Sequence, residues 1–158
     1  MNKIARFEKV SFEQFSQMCN DREAYDSIEL PKRATKGSAG YDFHMPFELT
    51  INPGETYKIP TGIRSEIADG WVLQIFPRSS LGFKYKLQLD NTVGIIDSDY
   101  YHADNEGHII IKVTNNSDRV LELKQGDRFA QGIFIPYGIT VDDESNEERT
   151  GGFGSTNK

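Results

Sequence analysis

An all-β fold is what this chain predicts, and three observations carry the prediction. Short β-branched and aromatic runs recur along the sequence, clearest at residues 71–76, 93–96 and 108–113. Turn residues close nearly every run, as at Asn52-Pro53-Gly54, Asn115-Asn116-Ser117-Asp118 and Gln125-Gly126-Asp127. Counted together these runs make roughly ten short strands, the close spacing of a closed or double-sheet β architecture. At 158 residues the chain has the length of one domain with a sizeable core.

Taken in order, residues 4–10 alternate apolar with charged side chains and read as a strand. Ser11 with Gln14 is a capping-box signature, so a short helix over about residues 12–20 follows. Its Phe12, Phe15 and Met18 recur at helical spacing, a stripe that packs the helix onto the domain and is assigned no chemistry. Lys32, Arg33 and Lys36 make a solvated basic loop that can also attract an anion. Gly40 permits a tight backbone approach, and Asp42 stands in a run otherwise suited to a strand. Such an Asp needs a partner, and Arg128 is the first candidate, either as a structural pair or beside a direct catalytic role.

Residues 57–67 supply two strands broken at Pro60-Thr61-Gly62, and residues 71–76 supply the most hydrophobic one, ended at Pro77 by loss of a ladder donor. Arg78-Ser79-Ser80 then opens a helical turn, where hydroxyls, free N–H groups and a guanidinium suit an anion; plain serine capping explains the pair as well. In residues 91–100 a strand gives way to Asp97-Ser98-Asp99, so a hairpin bend is expected to carry Asp97 and Tyr100 together. A carboxylate fixed at a strand end is a candidate general base. Strands over residues 108–113, 120–123 and 128–135 complete a β domain spanning residues 1–141. Residues 142–158 form a flexible tail whose acidic linker leads to Arg149, Phe153, Gly154 and Ser155. That tail is either disordered or a clamp, with Arg and backbone amides for phosphate and a ring to stack on a base.

A formal net charge of −6 argues against a nucleic-acid backbone as partner. A single cysteine, Cys19, allows no intrachain disulfide and fits a reducing cytoplasm. The N-terminus lacks the apolar core of a signal peptide, and no apolar run reaches membrane-spanning length, so a soluble cytoplasmic protein is expected. Neither a P-loop nor a dinucleotide-binding glycine motif occurs. His102, Asp104, Glu106 and His108 come nearest to a metal cluster, though a polar hairpin tip explains them equally.

Five pieces stand in order: Ala39-Gly-Tyr-Asp42, Pro77-Arg-Ser-Ser80, Gly94-Ile-Ile-Asp-Ser-Asp-Tyr100, Arg128-Phe-Ala-Gln131 and Arg149-Thr-Gly-Gly-Phe-Gly-Ser-Thr156. Together they resemble the five motifs of the trimeric deoxyuridine triphosphatases, over residues 39–156. The resemblance implies a jelly-roll-like β-barrel assembled as a homotrimer, with sites shared between subunits and closed by the C-terminal tail. It implies hydrolysis of dUTP to dUMP and pyrophosphate with Mg²⁺, which limits uracil in DNA and supplies dUMP for dTMP synthesis. Carried over, Asp97 activates the attacking water and Tyr100 excludes a 2′-hydroxyl, while Asn91 and the backbone at Gly94 read uracil. Arg78, Ser79, Ser80 and Gln131 hold phosphates, as do Arg149 and Ser155 at the far end, with Phe153 stacked on the base beside Gly154. Asp42 acts indirectly, through water or Arg128. Mg²⁺ is held by phosphate oxygens and water, not by the protein directly. A dCTP deaminase of the same fold, or a nucleotide-sensing protein with a regulatory partner, are the alternatives. The sequence departs from the family pattern in its N-terminal helix, in an insert over residues 101–106 before Gly107, and at Asn157.

Overall fold

The computed structural model describes residues 1–149 and 151. In chain order the strands among them are β1 (Ala5–Lys9), β2 (Lys32–Arg33), β3 (Tyr41–His44), β4 (Leu49–Ile51), β5 (Thr56–Pro60), β6 (Ile63–Ile67), β7 (Trp71–Pro77), β8 (Leu87–Leu89), β9 (Gly94–Ile96), β10 (Ile110–Asn115), β11 (Leu121–Leu123) and β12 (Arg128–Pro136). Helices are α1 (Phe12–Ser16), α2 (Arg22–Asp26) and α3 (Ser79–Tyr85), with a 3₁₀ turn at Ser98–His102.

Every strand pair is antiparallel. The largest sheet runs β2-β3-β12-β7-β9, a second runs β5-β10-β8, and β1-β6 and β11-β4 form two-stranded ribbons. All of them face one apolar core that includes Phe43, Ile59, Leu73, Ile75, Val113 and Phe129. β6 shows how sequence sets this arrangement: Ile63, Ser65 and Ile67 point inward and alternate with Arg64 and Glu66. The result is the all-β architecture the punctuation predicts, in the jelly-roll-like form the family resemblance implies. β2, β4 and β8 lie where no strand is expected, because two or three residues carry no readable period and are defined by their neighbours.

Two expectations need correction. The N-terminal helix is not continuous: α1 ends at Ser16, and Asp21 restarts the chain as α2 by accepting from the Ala24 amide at 3.0 Å. The apolar stripe divides with it. Phe15 is fully buried, whereas Met18 is 41% exposed. The segment before Asp97 is also not one hairpin, since β8 pairs with β10 while β9 pairs with β7. Residues 90–93 therefore cross between two sheets, and Asp97 stands at the N-terminal end of the 3₁₀ turn.

Two of the three sequence departures, the N-terminal helix and the insert, meet in space. Ser11 accepts from the Gln14 amide as a capping box requires, but its own amide donates to Glu106 Oε1 at 2.9 Å and its hydroxyl to Glu106 Oε2 at 2.5 Å. The second half of the cap thus comes from a residue 95 positions away. Tyr101 of the insert donates to Glu8 Oε2 at 2.7 Å, and the Arg64 guanidinium lies 4.2 Å from its ring centre. The insert closes at Gly107, whose φ of +69° and 2.7 Å clearance from the Tyr100 carbonyl oxygen leave no room for a side chain. No helix among the described residues is long and apolar enough to cross a membrane.

Candidate active site

The end expected to hold an anion is built on the large sheet. Asp42 on β3 is paired with β12 by register, which brings Arg128 Nη1 to 3.2 Å from Asp42 Oδ2. A second arginine, Arg78 at the end of β7, places Nε 3.4 Å from Asp42 Oδ1; its link to Asp42 is not legible in sequence spacing. Gln131 donates to the Pro77 carbonyl at 3.2 Å. Gly40 packs beside it: a Cβ there would sit 2.6 Å from Gln131 Oε1 and would push the end of that amide aside. These residues, with Ser79 and Ser80, line a hollow of about 360 Å³ that also touches Ala34 and Ser38. The one carboxylate in the hollow is already bonded to two guanidiniums, so what it offers a ligand is hydroxyls, an amide and positive charge.

A second cavity, of about 410 Å³, opens between the β8–β9 crossing and β10. Its walls are apolar, from Ile75, Leu89, Ile96, Ile109 and Ile111, with Asp90, Asn91 and Gly94 along one edge and Met18, Lys58 and Lys112 at others. A flat ring with polar edges suits such a space. Gly94 lets β9 approach β7 closely, its notional Cβ falling 3.0 Å from Ile75 Cβ. Asp90, one residue before Asn91, is braced by the Thr114 hydroxyl at 2.5 Å and by Lys112 Nζ at 3.2 Å. The Thr114 bond, reinforced by Lys112, holds the Asp90 carboxyl below its usual range.

Asp97 follows this cavity directly. Its Oδ2 lies 2.7 Å from Arg149 Nη2, and Asp99 Oδ1 lies 2.8 Å from Arg149 Nε. Arg149 is expected at a phosphate; here it rests on the candidate general base. Tyr100 is buried, donating its hydroxyl to the His108 carbonyl at 2.7 Å and accepting from Asn105 at 2.8 Å. Burial pushes its phenol pKa up. Phe153, Gly154 and Ser155 lie outside the described residues.

His102, Asp104, Glu106 and His108 do not gather. Glu106 caps α1, and His108, fully buried, accepts at Nε2 from the Gly62 amide at 2.9 Å. Among the described residues no group of three or more His, Cys, Asp or Glu could hold a metal ion. Burial takes the His108 imidazole down to about 4, partly opposed by Glu106.

The two ends are far apart within one chain. In the β7–β9 ladder Ile96 faces Leu73, so Asp97 is level with Val72. Arg78 stands six residues beyond Val72, about 20 Å at the rise of an extended strand.

The dUTPase family profile matches residues 26–157. Deoxyuridine 5′-triphosphate nucleotidohydrolase from Lactococcus lactis is 45% identical over 132 residues, covering 82% of this chain and 88% of that one. A dUTPase from Streptococcus mutans has a similar structure, with a TM-score of 0.68 and 35% identity over 87% of this chain and 98% of that one. A mutant dUTPase from phage phi11 of Staphylococcus aureus, reported with a structural Mg(II) ion, is 19% identical with a TM-score of 0.67. It covers 92% of this chain and 98% of that one.

Proposed function

The chain belongs to the dUTPase family, and from that premise we propose that it hydrolyses dUTP to dUMP and pyrophosphate at a site assembled from more than one copy of the chain. The dCTP-deaminase alternative is not favoured, because the matched relatives carry the dUTP activity. One observation carries the assembly: Asp97 and the Arg78 cradle stand about 20 Å apart along β7, too far for one chain to serve both ends of one triphosphate. A neighbouring copy in a homotrimer supplies the missing end.

The uracil ring enters the apolar cavity with its pairing edge toward Asn91 and the backbone at Gly94. Cytosine presents a donor where uracil has an acceptor, and each buried group left unpaired costs about 1 to 3 kcal/mol. Tyr100 packs on the deoxyribose. Its hydroxyl is tied on both sides, so the ring cannot swing aside for a 2′-hydroxyl. Arg78, Ser79, Ser80 and Gln131 of a neighbour hold the phosphates, and Asp42 serves indirectly by fixing Arg78 and Arg128.

Asp97 takes a proton from water as the water oxygen bonds to the α-phosphorus and the bond to the bridging oxygen of pyrophosphate breaks. Before that, Arg149 exchanges its two carboxylates for the terminal phosphate, where Ser155 joins it while Phe153 and Gly154 cover the base. The donor-rich cradle fits a ligand that brings its own cation. Bound together with the substrate, Mg²⁺ would supply charge neutralisation on the triphosphate.

Purified protein with Mg²⁺ should release pyrophosphate from dUTP far faster than from dCTP, dTTP or UTP. Equal rates on all four would overturn the proposal.

A further inference from the structure

We propose that Met18, on the N-terminal cap, is a specificity and positioning residue that closes the base cavity by packing its thioether against the bound pyrimidine ring. The inference rests on the reading of that cavity as the uracil site. Residues 1–25 lie before the span matched by the family profile, so that profile does not describe this wall.

The cap is held firmly enough to serve as a wall. Val10 donates to the Gly62 carbonyl at 2.9 Å, the Tyr25 hydroxyl donates to the Val10 carbonyl at 2.6 Å, and Phe15 is fully buried. Glu106 of the insert fastens Ser11 by two bonds. Met18 follows in the same turn, its amide donating to the Phe15 carbonyl at 3.1 Å. Yet Met18 is 41% exposed and is not part of the core of the cap, which is made by Val10, Phe15 and Ala24. Its side chain lines the same cavity as Asn91 and Gly94. An apolar side chain kept out of its own core and set on a rigid support beside an apolar hole is placed to be covered by a ligand. A thioether suits the face of a flat ring, being polarizable and adaptable in shape. On this account the insert and the cap form one unit: Glu106 sets the cap, and the cap sets Met18.

Steady-state kinetics on dUTP with saturating Mg²⁺, together with calorimetric titration of dUMP, test the proposal in full-length protein. Met18→Ala should raise KM and weaken dUMP binding about tenfold, with kcat within about twofold and the melting temperature unchanged. Met18→Leu, which keeps the wall, should restore KM. Asn91→Ala is measured in parallel. If Asn91→Ala weakens dUMP binding and Met18→Ala does not, the proposal falls and the base site stands. If neither variant changes binding, the uracil reading of the cavity falls and takes the proposal with it. Equal losses in Met18→Ala and Met18→Leu would also overturn it.

Discussion

Asp42 and Asp97 are both carboxylates gripped by arginine, but the grips differ in kind. Asp42 is 14% exposed, and its two arginines stand at the ends of β7 and β12, strands zipped into the same sheet. Asp97 is 47% exposed, and its arginine arrives from residue 149, beyond a stretch with no regular element over residues 143–149. The first pair is part of the framework. The second is proposed to be a counter-ion that exchanges its carboxylates for a phosphate. A fixed contact should register in stability, and an exchangeable one in turnover.

The largest effect should come from Asp97→Asn. Turnover falls by about 10³-fold if the carboxylate is the general base, while dUTP binding is kept or slightly tightened as Arg149 is released, and melting temperature stays near wild type. A loss of stability in this variant would erase the contrast with Asp42. Asp42→Ala should behave in the opposite way, leaving two guanidiniums without their shared partner. Chemical denaturation should show a loss of about 2 to 3 kcal/mol, and KM for dUTP should rise as Arg78 and Arg128 lose their alignment.

A third prediction uses a fixed contact with no bearing on chemistry. His108 sits under the N-terminal cap, and its folded pKa of about 4 lies below the ordinary 6.5. Protons are therefore bound more readily by the unfolded chain between those values. Its contribution is fully present above pH 6.5 and is lost as pH falls through 4. Denaturation at pH 5 against pH 8 should show about 2 kcal/mol of lost stability from this group, and His108→Gln should flatten that part of the profile. The smallest effect belongs to Asp99→Asn, which removes one of two surface partners of Arg149. Such pairs contribute about 1 kcal/mol or less, so dUTP should bind no more than about fivefold tighter as Arg149 is released more easily. Weaker binding would mean that Asp99 helps substrate rather than competing with it.

The sequence discloses contacts that local chemistry dictates and hides those made by folding over distance. Pro77 ends β7 because it lacks a donor, and the break at residues 60–62 separates β5 from β6; both are legible as spelled. The need of Asp42 for a cation is legible too, because a charge inside a strand demands one. Arg78 as its second partner is not, since it appears only when β7 and β3 flank β12. Ser11 announces a cap, but Glu106 as the group that completes it comes from the insert, through a fold that periodicity cannot trace. Arg149 on Asp97 is hidden for a different reason: motif order assigns each to substrate and says nothing of what they do to each other without it.

Asp97 and Arg78 are proposed to act on the same substrate only from different copies of the chain. The direct measurement is complementation: Asp97→Asn and Arg78→Ala chains, each nearly inactive, are unfolded, mixed in equal amounts and refolded together. Random assembly pairs an intact Asp97 with an intact Arg78 of a neighbour in about a quarter of sites, so the mixture should recover about that share of wild-type pyrophosphate release. A mixture no more active than the separate variants would overturn the shared site.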